Sequence, residues 1–165
     1  LLSILSGSYA EIAILSQPLI IIPAFFYILF LGGPLEEEFG WRGYALDRLQ
    51  AHYSALLSSV FLGIVWGLWH LPLFFMSGQD IYHSVPIPAF ILGTIFLSIL
   101  FTWIYNNTGR SILAVLIFHT MGNLSHFIFP AMATSLGGLY SVIINIVVVI
   151  IILIIFGSKR MVREQ

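Results

Sequence analysis

Three acids in a row, Glu36, Glu37 and Glu38, stand close to Arg42 in a chain that is otherwise almost free of charge. Neighbouring carboxylates repel one another, and burial adds to the cost of ionising them. A cluster of this kind therefore invites a raised pKa on at least one member. A carboxylate so tuned takes a proton from water near neutral pH, which is the work of a general base. Glu38 and Arg42 are four apart, so on a helix they share a face and can pair. His70 follows Trp66 by four residues, and Asn123 follows His119 by four. Each spacing puts its two residues on one helix face. Amide hydrolysis needs a base for water and donors for the developing oxyanion. One Glu, two His and one Asn supply both without a Ser or Cys nucleophile, and the chain has no Cys. Glu37, His70 and His119 could also hold Zn²⁺ with a position open for water. No HExxH zinc signature is present. The metal-free arrangement is the one favoured, with no cofactor, and zinc stands as its alternative.

Each piece also has a plainer reading. The segment 34–53 fits an interfacial helix lying on a membrane with its charges in water. His70 beside Trp66 at a span end fits an interfacial anchor. His119 and Asn123 fit an interhelical hydrogen-bonding pair. His126, one turn further on, is open to either a site role or packing. His52 and His83 fall in connections and read as surface residues.

The elements that must position these residues follow from composition. Of 165 residues, 59% are hydrophobic and only 8% charged. A soluble domain carries about 25% charge, so an ordinary water-soluble globule is excluded. The net charge of -1 gives no basic excess for nucleic acid. Charges leave four long uncharged stretches, 12–35, 49–79, 81–109 and 111–158. A helix crosses the hydrocarbon core in about 20 residues. The first three stretches hold one span each and the last holds two. Spans are expected near 11–33, 54–76, 88–106, 111–132 and 139–157, with Pro130 and Gly137-Gly138 marking the last turn. The fold class is all-α: a polytopic transmembrane bundle of about five spans plus a charged helical segment at 34–52, in a single membrane-embedded domain over 1–165. Barrel strands would alternate with period two, and runs such as 143–155 do not. Pro34 suits the first turn of the charged helix, with Glu36–Glu38 near its positive end.

Five spans put Arg42, Arg48, Arg110, Lys159, Arg160 and Arg163 on one side. The positive-inside rule makes that side cytoplasmic and the C-terminus with it. The chain opens at Leu1 without Met and is expected to be trimmed at its N-terminus. Simple span counting leaves one conflict. It sets the acids on the cytoplasmic side and His70 toward the far end of its span. The two meet only if the acids lie well inside the membrane, or the second helix is short or tilted.

Three motifs now stand in order: Glu37-Glu38-x-x-x-Arg42, Trp66-x-x-x-His70 followed by Leu71-Pro72, and His119-x-x-x-Asn123. In this order, on an all-helical membrane chain, they resemble the CPBP family, which holds CAAX prenyl proteases and bacteriocin-processing or immunity proteins and is also called the Abi family. The likeness covers about 34–125. The second motif has Trp66 where the family's FxxxH pattern has Phe. The resemblance implies an intramembrane endopeptidase, with a peptide or protein substrate that is lipidated in the CAAX-type members. It implies Glu37 as general base, His70 as holder of the water, and His119 and Asn123 as stabilisers of the oxyanion. Glu38 and Arg42 would pair and set the position of Glu37, with Trp66 in the wall. A non-catalytic immunity or partner-binding protein on the same fold is the alternative. A small transporter using Glu38 and Arg42 in a polar path is a third reading, against which the lack of internal repeats counts.

Overall fold

The fold was analysed in a computed structural model that describes residues 18–129 and 135–163; the side chains of 80, 81, 127 and 135 are outside that description. Within it every regular element is helical. A short 3₁₀ turn, Pro18–Ile20, leads into α1, Ile21–Leu31. After Gly32 and Gly33, α2 runs Pro34–Gly40, winds as a π-helix over Trp41–Leu46, and ends as α3, Asp47–Gln50. Then come α4 (Ala55–Trp69), a 3₁₀ turn (Leu71–Phe75), α5 (Asp80–His83), α6 (Ile87–Asn107), α7 (Ile112–Ile128) and α8 (Ser135–Phe156).

The solvent logic of a soluble protein is inverted. Glu38, Arg42, Ser58, Ser59, His70, Thr94, Ser98, Thr102, His119 and Thr120 are buried, while Phe26, Leu113, Ile144 and Ile154 are exposed. Lipid solvates the apolar outer faces, and the polar groups satisfy one another inside. Four helical segments are long and apolar enough to cross a membrane: Pro18–Gln50, Ala55–Phe75, Ile87–Asn107 and Leu136–Phe156. A shorter apolar helix lies at Ile112–His126. The chain is an all-α, multi-pass bundle.

Two expected boundaries move. The charged segment is not a connection after the first span but its continuation, so that span lies within Pro18–Gln50 and the turn is only 51–54. Its expected start at 11–17 lies outside the described residues. Gly137 and Gly138 sit inside α8 rather than in the last turn; Pro130 lies outside the described residues. Glycine is tolerated there because lipid penalises an unmade backbone hydrogen bond more than helix propensity penalises glycine.

The closest helix pair is α4 on α6. A Cβ at Gly63 would lie 2.5 Å from the Cα of Ile95, and one at Gly67 2.7 Å from Oγ1 of Thr94. That hydroxyl donates to the carbonyl of Gly63 at 2.9 Å. Gly63-x-x-x-Gly67 is the small-residue seam that lets two membrane helices touch backbone to backbone.

The bundle is pinned at one end. Tyr105 donates to Asp47 (3.2 Å), Arg110 pairs with the same carboxylate (3.5 Å), and Gln50 and Asn106 exchange amide hydrogen bonds. The backbone after α8 caps α4: the N–H groups of Ala55 and Leu56 donate to the carbonyls of Lys159 and Ser158.

Candidate active site

Gly33 makes the site possible. The helix is interrupted at Gly32 and Gly33 between α1 and α2, and Gly33 holds φ at +101°. Pro34 opens α2, and Glu37 makes an early hydrogen bond of the new helix, to the carbonyl of Gly33 at 2.9 Å. Glu36 and Glu37 lie in the first turn, where the helix dipole favours negative charge. A Cβ on Gly33 would overlap Oε1 of Glu37. The missing side chain is the space this carboxylate occupies.

The other oxygen of Glu37 accepts from the indole N–H of Trp66, at 2.5 Å. Trp66 stands between the two histidines. Its ring centroid is 5.9 Å from that of His70 and 5.6 Å from that of His119. Glu37, His70 and His119 are thus gathered around one indole.

Glu38 is fully buried and answered three times. Arg42 Nη1 donates to both its oxygens at 3.0 Å, and Nδ1 of His119 lies 2.8 Å from Oε1. Nη2 of Arg42 reaches Ser98 at 3.3 Å, and the guanidinium lies over Phe101 at 4.6 Å and Trp66 at 5.2 Å. A buried ion pair holds only when its desolvation is offset by further hydrogen bonds and packing; here both are present. The direct hydrogen bonds of the Glu38–Arg42 pair go to His119 and Ser98. The Glu37 carboxylate accepts from Trp66.

Both imidazoles are anchored through Nδ1. That of His70 lies 2.9 Å from the carbonyl of Trp66. A carbonyl only accepts, so Nδ1 carries the proton and Nε2 of the neutral ring has a lone pair. His119 donates from Nδ1 to a carboxylate by the same logic. Asn123 is half-buried one turn beyond His119, and its amide has no hydrogen-bond partner among the described residues. His126, His52 and His83 are exposed. Glu36 is exposed as well and takes no part.

The depth conflict resolves in the register. Asp47 and Glu38 are nine residues apart, and so are Arg110 and His119. The Asp47–Arg110 pair joins the two segments at the base, and Glu38 meets His119 nine residues further along its own helix, about 13 Å in at 1.5 Å per residue. His70 lies fifteen residues above Ala55, about 22 Å, and Glu37 thirteen above Gln50, about 20 Å. The acids lie inside the bundle because their segment belongs to a span.

Two contributors escaped the sequence reading. Ser98 belongs to a stripe of Thr94, Ser98 and Thr102, spaced by four along an apolar helix. That spacing was the available signal. Tyr82, on α5, stacks on His70 with centroids 5.9 Å apart and 26° between planes. It packs also on Phe74 and Phe90. Burial, and then the Glu37 charge, push its phenol above the ordinary value. Nothing in its short connection distinguishes it locally.

A metal was the alternative use of these groups. Among the described residues, no three His, Asp or Glu side chains are grouped as ligands of one ion.

Residues 19–125 match the family model of the type II CAAX prenyl endopeptidases, described as Rce1-like. The chain belongs to this family. The match takes in Glu37, Glu38, Arg42, Trp66, His70, His119 and Asn123. A curated relative, CAAX prenyl protease 2 of Methanococcus maripaludis, is 36% identical over 112 residues, which is 63% of this chain. The chain spans about 40% of that relative's length.

Proposed function

We propose that this protein is an intramembrane endopeptidase that hydrolyses an amide with water activated by Glu37. The observation that carries the reading is the gathering of Glu37, His70 and His119 around Trp66, inside a bundle of the Rce1-like family. Glu37 takes a proton from water as the water oxygen attacks the scissile carbonyl. Nε2 of His70 accepts a hydrogen bond from that water and holds it. The carbonyl oxygen becomes an oxyanion. His119, oriented through Nδ1 by Glu38, and the amide of Asn123 stabilise it. Glu37 then returns its proton to the leaving amine as the C–N bond breaks. The reaction needs no metal in this scheme.

The substrate is proposed as a peptide carrying a CAAX-type or similar lipidated terminus, presented from the bilayer. The C-terminus is proposed to face the cytoplasm. Arg48, Arg110 and the 159–163 tail gather at one end of the bundle, where the positive-inside rule places that side.

The test is cleavage of a prenylated CAAX peptide in proteoliposomes. Glu37→Gln, His70→Ala and His119→Ala should each abolish cleavage while the protein still inserts and keeps its helix content. Cleavage by all three variants overturns the proposal. A chelator should leave the wild-type rate unchanged. One tightly held zinc per chain, with loss of rate on its removal, would overturn the metal-free step.

A further inference from the structure

The cations of the chain fall into two groups. Arg42 pairs with Glu38, Arg110 with Asp47, and Arg48 donates to the carbonyl of Tyr44 while lying over its ring. Lys159, Arg160 and Arg163 are exposed and make no ion pair among the described residues. They stand within five positions of one another, just beyond the last residue of α8.

The backbone that carries them is built rather than frayed. Gly157 and Met161 both take positive φ, +68° and +52°, and fold the tail back on itself. Met161 is wholly buried. Its carbonyl accepts from the amide of Asn107 at 2.7 Å, and that of Arg160 from Asn106 at 2.8 Å. With the caps on Ala55 and Leu56, four hydrogen bonds tie the tail to α4 and α6. A left-handed conformation at a non-glycine residue is a cost that the fold must offset.

The folded tail forms an open recess of about 430 Å³. Lys159, Arg160 and Arg163 line it together with Ile155, Phe156 and Val162. Ile155 belongs to the outer face of α8, where Ile151 and Ile154 are exposed as well. Cationic and apolar side chains thus share one recess at the end of a span, the level at which a phospholipid changes from phosphate to acyl chain. A soluble anion would use the cations only.

We infer that the 155–163 tail is a binding site for the phosphate headgroup of an anionic phospholipid. Ile155, Phe156 and Val162 take the first carbons of its chains. The site stands apart from Glu37 and owes nothing to the reading of the catalytic residues.

Lipid binding to the full chain in mild detergent tests it. Phosphatidylglycerol and phosphatidylcholine of the same chains are titrated and bound copies are counted by native mass spectrometry. Wild type should keep at least one phosphatidylglycerol under activation that strips phosphatidylcholine. Each basic residue near an anionic surface strengthens binding roughly five-fold, so Lys159→Gln/Arg160→Gln/Arg163→Gln should weaken it on the order of 100-fold. Arg163→Gln alone, the mildest change, should weaken it about five-fold and covers the case in which the triple variant does not fold. Equal retention by wild type and Arg163→Gln overturns the inference. So does displacement of the lipid by inorganic phosphate, which would mark a plain anion site.

Discussion

The indole N–H of Trp66 donates to Oε2 of Glu37, so the residue packed against both histidines also holds the carboxylate. A hydrogen bond to a charged group contributes about 1.5–3 kcal/mol. Trp66→Phe keeps the wall and removes the donor. Turnover should fall roughly ten-fold or more with KM nearly unchanged, since only the aim of the base is lost. Steady-state kinetics on a prenylated peptide check this, and an unchanged kcat would show that Glu37 is held by other means.

Gly33 gives a second handle on the same carboxylate. Gly33→Ala puts a methyl where Oε1 of Glu37 lies and asks alanine to hold φ at +101°. The backbone strain should cost on the order of 1–3 kcal/mol. Turnover should fall further than that loss of stability explains, because the carboxylate must swing away. Thermal unfolding by circular dichroism, run beside kinetics, separates the two effects.

The Glu38–Arg42 pair should behave as a buried ion pair does. Arg42→Ala leaves an unanswered buried carboxylate and should destabilise by about 3–5 kcal/mol. Glu38→Leu/Arg42→Met removes both charges and should recover most of that loss. Turnover should not recover, because His119 loses the carboxylate that orients it. Denaturant unfolding of the single and double variants decides the stability half. An active double variant would show that His119 needs no such partner.

Tyr82 presents a ring to His70 and a phenol to the neighbourhood of Glu37. Its raised pKa keeps the phenol neutral throughout the physiological range. Unfolding frees that phenol to ionise at its ordinary value, so its share of stability is present below about pH 10 and is lost as pH rises past it. Tyr82→Phe should flatten that alkaline decline and leave activity near neutrality unchanged. Tyr82→Ala should lower activity by loosening His70. Melting temperature against pH and kinetics at neutral pH read these separately.

Much of this arrangement was legible in the residues. Thirteen charges among 165 positions required a membrane, and spacings of four paired Glu38 with Arg42 and Trp66 with His70. Local periodicity could not place Glu37–Glu38 in depth. Charge density marks a connection when helices are counted by hydropathy, and only the contact with α7 reveals that the segment continues a span. Trp66 read as wall because a side chain's direction across helices is a tertiary fact. Gly63 and Gly67 were open to recognition as a close-packing pair, but the partner helix is named only by the fold.

The nine residues from Glu38 to Asp47 make a ruler of their helix. One residue inserted between Glu38 and Asp47 would turn Glu38 by about 100° and raise it by 1.5 Å relative to the base. Glu38 would then face away from His119. Four inserted residues would restore the bearing to within about 40° but lift the carboxylate roughly 6 Å past His119. Length in this interval is as tightly constrained as residue type, so natural variation should accumulate in the chain outside it.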